Sequence, residues 1–330
     1  MKTFYLEIDN YCNNNCIGCC KTKVSNNSLQ FFLLKMRQAK SQGFQTILLS
    51  GGEFTIFKCF FSVLEVAFEL FESVSIMTNG RMLSNYSFVM KLSNFKISCI
   101  YISLCGHNSK THELWTRTPG SFNQTVKGIK NALRYNLNIM VVYILWKSNY
   151  KYINNFLIYV ANLGVKNIRI SNVIPTANAR INSKHVFFNF SHLKNVFNSI
   201  INNSIYFDII NIEDFPFCVI PYNVVEKENI SINYSYGKYS FEDGLLATYP
   251  GVVLIDQGVD INNISFLKKR INYIKQISNS YFVKFDICNR CKYTIECNGI
   301  FKQYVYLFGS KTADHQLKNF YSENIIKYVK

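Results

Sequence analysis

The sequence predicts an α/β fold: a partial TIM-like barrel of six strand–helix units, a (β/α)6 arrangement, followed by a smaller C-terminal domain. Three observations carry that expectation. Short β-branched runs alternate with longer segments of helical periodicity over roughly the first 210 residues, the pattern of parallel βαβ units. From about Asp208 the alternation gives way to shorter, mixed elements. A chain of 330 residues also exceeds what one hydrophobic core usually encloses. The expected division is therefore 1–210 for the barrel and 211–330 for the second domain.

In chain order, strands are expected at 4–8, 46–50, 74–78, 97–104, 139–145 and 167–173. Helices are expected between them near 29–42, 59–71, 86–93, 122–135 and 150–163. The last shows the logic: Leu157, Val160 and Ala161 recur at helical spacing, and Gly164 follows as a C-terminal cap. In such barrels the loops after the strands gather on one face, where chemistry is expected. The stretch 226–260, rich in Asn, Ser, Tyr and Gly, reads either as a hairpin or as a substrate-specific insertion.

The formal net charge is +16, which favours anionic partners through long-range attraction. A composition rich in Asn, Lys, Ile, Tyr and Phe, with lysines solvating the surface, accounts for the same excess. No dense Lys/Arg block or recognisable RNA-binding module is present, so nucleic acid ranks below peptide and small-molecule partners. No apolar run reaches the roughly 18 residues of a membrane span, and the start of the chain lacks a signal peptide's apolar segment. A cytoplasmic protein without membrane contact is expected. Eleven cysteines in reducing cytosol point to metal binding over disulfides.

Cys12, Cys16 and Cys19 follow the first expected strand, separated by three and two residues. Three thiolates on one short loop suit an iron–sulfur cluster with one iron left open. Buried free thiols, or half of a zinc site, are the plainer readings of the same spacing. After the second strand comes Gly51-Gly52-Glu53, after the third Thr78-Asn79-Gly80, and at the end of the fourth Ser103. Each of these alone reads as ordinary turn chemistry.

Taken in order, the cysteine triad and the Gly51-Gly52-Glu53 turn resemble the radical S-adenosylmethionine (radical SAM) superfamily. The resemblance implies a [4Fe–4S] cluster on Cys12, Cys16 and Cys19, with S-adenosyl-L-methionine chelating the open iron. Reductive cleavage then yields a 5′-deoxyadenosyl radical that takes hydrogen from substrate, with electrons from an external donor of flavodoxin or ferredoxin type. Gly51 and Gly52 let the backbone approach the cofactor, Glu53 orients the chain near its ammonium group, and Thr78, Asn79 and Ser103 match further cofactor-contacting positions.

Two departures from the family stand out. The position before the third cysteine is often aromatic but here is Gly18, which implies a looser or more exposed loop. Many relatives read Ser-Leu-Asp-Gly after the fourth strand, whereas this chain reads Ser103-Leu104-Cys105-Gly106-His107. With Ser103 and Cys105 on one strand face, Cys105 is a candidate hydrogen-atom donor and His107 a candidate proton carrier if that face lines the mouth. A buried thiol and a surface histidine are the alternative. Cys20 breaks the triad's spacing and is a spare, while Cys59 and Cys99 lie on apolar elements as core residues.

Cys288, Cys291 and Cys297 form a second set that resembles the auxiliary-cluster extension called the SPASM or twitch domain. With Cys218 as fourth ligand, the resemblance implies one fully thiolate-ligated second [4Fe–4S] auxiliary cluster; a structural zinc suits the same four thiols. The expected function is radical SAM modification of a peptide, with the auxiliary cluster assisting electron transfer. Modification of RNA or a small metabolite is the enzymatic alternative, and a non-catalytic metal-binding protein the alternative of another class. Catalytic side chains are not assigned. Few residues precede the first strand, so a fused leader-peptide wing ahead of it is not expected.

Overall fold

The structure, a computed structural model, describes residues 3–7, 11–20, 28–233, 282–291, 297 and 299–310. Its centre is one parallel sheet in the order β1-β2-β3-β4-β5-β6-β7-β8, each strand beside its sequence neighbour. The strands are β1 (Thr3–Glu7), β2 (Thr46–Ser50), β3 (Ser73–Thr78), β4 (Cys99–Ser103), β5 (Ile139–Leu145), β6 (Asn167–Asn172), β7 (Ile209–Glu213) and β8 (Ile230–Asn233). The sheet curls into a half-barrel with helices on its outside, as expected for a partial TIM-like barrel. It runs two strands further than the six the sequence suggests. β7 and β8 are short and mix Ile with Asn, Ser and Glu, so their β-branched signal is diluted.

Strand alternation explains the layering. In β4, Ile100 and Ile102 are fully buried toward the helices, while Cys99, Tyr101 and Ser103 are half-buried on the inner face. The same buried set continues through Phe4, Leu6, Ile76, Ile168, Ile170, Ile210 and Ile212. At roughly 1.5–3 kcal/mol per fully buried large aliphatic side chain, this outer core dominates the fold's stability. β5 differs: nearly all of it is buried, in keeping with its place mid-sheet.

The outer helices are α1 (Leu29–Ser41), α2 (Phe60–Leu70), α3 (Tyr86–Leu92), α4 (Ser109–Thr116), α5 (Ser121–Arg134), α6 (Ile153–Asn162), α7 (Ala177–Ile181), α8 (Ser183–Val186), α9 (Leu193–Asn203) and α10 (Tyr222–Val225). The expected glycine stop of α6 is present: Gly164 N donates to Ala161 O at 2.9 Å, and Val165 N to Val160 O at 3.2 Å. α4 and α7 to α10 have no counterpart in the sequence-based expectation. α4 is capped by Asn108, whose side chain accepts from Thr111 N at 2.9 Å.

Beyond β8, an antiparallel pair, β9 (Phe282–Val283) and β10 (Ile300–Phe301), leads into α11 (Lys302–Phe308). α11 packs back on the barrel. Tyr304 stacks on Phe190 at 3.9 Å, its hydroxyl accepts from Phe190 N at 2.8 Å, and Gln303 Nε2 donates to Ser183 Oγ at 3.0 Å. Much of the stretch 226–260 lies outside the described residues, as do residues 21–27. No described helix is long and apolar enough to cross a membrane.

Candidate active site

The cysteine loop, residues 11–20, lies at the C-terminal ends of the strands and is clamped from four sides. Glu53 N donates to Tyr11 O at 2.9 Å. Arg81 Nη1 bonds Asn13 O and, at 2.9 Å, Asn14 Oδ1, while Asn79 Nδ2 donates to Asn13 Oδ1 at 2.6 Å. The end of α4 receives Asn15 N on Thr116 O and Ile17 N on Trp115 O, both 2.9 Å. From α7 and its end, Asn178 N donates to Cys19 O at 3.0 Å and Asn182 Nδ2 to Ile17 O at 3.0 Å. A loop without regular structure thus has its backbone groups satisfied by tertiary partners, as burial requires.

Cys12, Cys16 and Cys19 are free, half-buried thiols. Burial raises the proton affinity of Cys12, with Glu53 and Cys19 adding to it, and Asn14 N approaches its sulfur at 3.4 Å. Burial raises Cys16 well above the usual thiol range, and the neighbouring Cys105, Cys19 and Cys12 act in the same direction. Three soft donors on one short loop, Cys12 and Cys16 among them raised by burial, form a set that a cationic iron–sulfur core would stabilise as thiolates. Among the described residues no three His, Cys, Asp or Glu side chains are drawn together at the spacing of a single-ion site.

Gly18 does not loosen the loop. It is buried, and a Cβ built on it would lie 2.3 Å from Trp115 Cη2. The aromatic ring absent at position 18 is therefore supplied by Trp115 of α4, pressed on the glycine backbone. Trp115 meets Trp146 edge-on at 5.3 Å, and both pack with Cys105, Cys16 and Ile17.

Glu53 joins three of the expected positions. Its Oε1 accepts from Thr55 N at 3.1 Å, Thr55 Oγ1 at 2.5 Å and Thr78 Oγ1 at 2.6 Å; its Oε2 accepts from Asn79 N at 2.6 Å. Burial raises its proton affinity and these four bonds oppose the rise. The carboxylate is thus a strut between the ends of β2 and β3. Gly51, at φ +148, takes a conformation that side-chain-bearing residues avoid. Ser103 is half-buried at the end of β4.

Cys105 does not share the inner face with Ser103. Strand geometry ends at Ser103, and Leu104, Cys105 and Gly106 are all buried. Its thiol lies in the tryptophan cluster, where burial pushes it up to about 12. His107 is half-buried beside Tyr152 at 5.6 Å, with Asn108 Nδ2 3.0 Å from its Nε2. His112, on α4, accepts from Cys105 N at 3.1 Å, and burial first, then Arg81, lowers it to about 4. Cys59 and Cys99 are half-buried rather than fully enclosed.

The inner barrel face holds a group that the sequence reading did not single out. Arg169 Nε lies 3.1 Å from Glu213 Oε1, and its guanidinium sits 4.3 Å over the Tyr101 ring. Burial pushes Glu213 up to about 7; Arg169 opposes this and Asp214 adds to it. Arg169 and Glu213 are 60 and more positions from Tyr101 in sequence, and only inward alternation on β4, β6 and β7 signals their meeting.

The second cysteine set falls on three separate described segments. Cys218 sits in the short turn Phe217–Val219, and Cys288 in the turn Asp286–Arg290 with Cys291 just after it. Cys297 precedes β10, with Gly299 N 3.4 Å from its sulfur. Burial raises Cys218 well above the usual thiol range, and Cys297, Cys288 and Cys291 each add to the rise. At the same time, Leu307 and Phe308 of α11 pack on the tryptophan cluster behind Cys16.

Residues 6–160 match the family model described as the Radical SAM superfamily. The sporulation killing factor maturation protein SkfB of Bacillus subtilis (strain 168) is 25% identical over 192 residues, covering 57% of this chain and 46% of its own. The chain spans less than half the length of that relative. Among solved structures, native anSMEcpe with bound AdoMet and Kp18Cys peptide superposes with a TM-score of 0.64 at 14% identity, covering 98% of this chain and 97% of its own. Streptococcus suis SuiB bound to precursor peptide SuiA gives 0.53 at 16% identity, covering 70% and 48%. The structural similarities establish the fold.

Proposed function

We propose that this chain, which carries a radical SAM superfamily domain over residues 6–160, modifies a peptide by radical chemistry initiated from S-adenosylmethionine. The observation that carries the reading is the clamped loop, which holds Cys12, Cys16 and Cys19 at the strand ends beside the Glu53–Thr78–Asn79 strut. Support for a peptide substrate comes from the similarity to a maturation protein and to two structures bound to peptides.

A [4Fe–4S] cluster on Cys12, Cys16 and Cys19 would bind S-adenosylmethionine and supply the 5′-deoxyadenosyl radical. The chain's residues do the rest. Gly51 and Gly52 bring backbone close to the cofactor, and Glu53 fixes the ends of β2 and β3 where Thr78 and Asn79 meet it. Ser103 offers a hydroxyl at the end of β4. Tyr101, Arg169 and Glu213 line the inner face, where substrate would lie, and present a charged pair for its polar groups. Cys218, Cys288, Cys291 and Cys297 would hold an auxiliary cluster that accepts the substrate radical's electron. The expected boundary at 210/211 falls inside β7, and β8 also belongs to the barrel sheet, so the second unit would begin after Asn233, with Cys218 contributed by the end of the barrel. A flavodoxin or ferredoxin is the external donor in this scheme.

The test is anaerobic reconstitution followed by iron, sulfide and 5′-deoxyadenosine analysis. About eight irons per chain, with 5′-deoxyadenosine formed under reductant, is the expected result. Zinc in place of iron, or iron without cleavage of S-adenosylmethionine, would overturn the reading.

A further inference from the structure

Resting on that reading, we propose that a basic groove on the outer rim beside the cysteine loop is the docking face for an acidic one-electron carrier protein. The groove, of about 960 Å³, runs between α4, the loop after β5, and α8. Lys110, Arg117, Lys147, Lys151 and His185 line it against a single acid, Glu113. The four Lys and Arg side chains are exposed, so their field reaches an approaching partner and is limited by salt.

Two features select an electron carrier over the substrate. None of the inward-facing strand residues, such as Tyr101, Ser103 or Arg169, lines the groove. It is lined instead by α4, the loop after β5, the end of α7 and α8, with Ile17 of the cysteine loop. Its wall is also the back of the cysteine site. Ile17 lies between Cys16 and Cys19 in the chain, and Trp146 packs in one cluster with Trp115, Ile17 and Cys16. A carrier seated there would be separated from a cluster ligand by about one layer of side chains. Trp146 adds a buried indole N–H without a hydrogen-bond partner among the described residues.

The transfer is simple to balance. A reduced flavodoxin or ferredoxin would lose one electron, and the cluster that Cys12, Cys16 and Cys19 would hold would gain it, with no bond made or broken. An acidic surface on the carrier matches the groove's sign, and charge complementarity of this kind sets encounter rate and orientation.

The experiment uses the full chain, reconstituted, with an acidic flavodoxin as probe. Binding is titrated at low and high salt, and 5′-deoxyadenosine formation is compared with reduced flavodoxin and with dithionite as reductant. The Lys110→Glu/Lys151→Glu variant should weaken flavodoxin binding by about tenfold or more at low salt and slow flavodoxin-driven cleavage to match. Dithionite-driven cleavage should stay within about twofold, and Lys110→Arg/Lys151→Arg should keep the affinity. Unchanged flavodoxin affinity in the charge-reversed variant, with dithionite-driven cleavage intact, would overturn the docking face alone. Retained flavodoxin binding with loss of peptide binding would reassign the groove to substrate. Absence of dithionite-driven cleavage in the wild type would instead overturn the function proposed above.

Discussion

The two cysteine sets are built in opposite ways. Cys12, Cys16 and Cys19 lie within eight consecutive positions, yet their loop has no helix or strand of its own and is held by β2, β3, α4 and α7. Cys218 and Cys288 are 70 positions apart, and each rests in its own short turn, with the other cysteines adding to the raised proton affinity of Cys218. The first site is local in sequence and non-local in support. The second is the reverse, so damage to either should propagate differently.

The largest effect is expected at the first site. Cys16→Ala should lose about half the bound iron and all 5′-deoxyadenosine formation, read by metal analysis and chromatography. Cys218→Ala should lose a similar share of iron but keep cleavage of S-adenosylmethionine while product formation is abolished. Equal loss of cleavage in both variants would break the comparison and make the sets one functional unit.

Proton linkage sharpens it. Burial lowers His112, behind the first loop, to about 4 and raises Glu213, at the end of the strand before Cys218, to about 7. A depressed histidine contributes stability that is present above about pH 6.5 and lost as pH falls toward 4. A raised carboxyl contributes stability that is present below about pH 4.5 and lost as pH rises through 7. Each shift corresponds to on the order of 3 kcal/mol. Chemical denaturation across pH should therefore show His112→Gln flattening the acid side and Glu213→Gln the neutral side. A single variant that flattened both would show that the sites titrate together.

Smaller effects separate packing from ligation. Gly18→Ala places a Cβ against Trp115 and should cost about 1–3 kcal/mol in thermal unfolding, with iron lost in proportion. Trp115→Leu added to it should restore part of that loss by removing the indole; no recovery would place the strain elsewhere. Cys20→Ser should leave iron content unchanged, as befits a thiol outside the spacing of the triad.

Much of this was legible in the chain. Six strands and five helices follow from periodicity because each buries a continuous apolar face, as Ile100 and Ile102 do in β4. β7 and β8 carry little strand signal because Asn211, Glu213, Ser231 and Asn233 face inward or lie at the sheet edge, where polar side chains are tolerated. α4 was hidden because its buried positions are Thr111, His112, Trp115 and Thr116, a face with little aliphatic content. The cysteine triad and Glu53 were visible from spacing. The role of Trp115 was not, since only the close approach of α4 reveals why position 18 has no side chain. Alternation places Cys105 on the face of Ser103 only if the strand continues, and β4 ends at Ser103.

The 70-position interval between Cys218 and Cys288 also has a meaning during synthesis. At about 5–20 residues per second, several seconds pass between the emergence of the two thiols from the ribosome. All eight strands of the parallel sheet and the whole first loop precede Cys288 in the chain. The barrel and its triad are then available before the second set has more than one member. Maturation of such a chain would be ordered in time, first site before second.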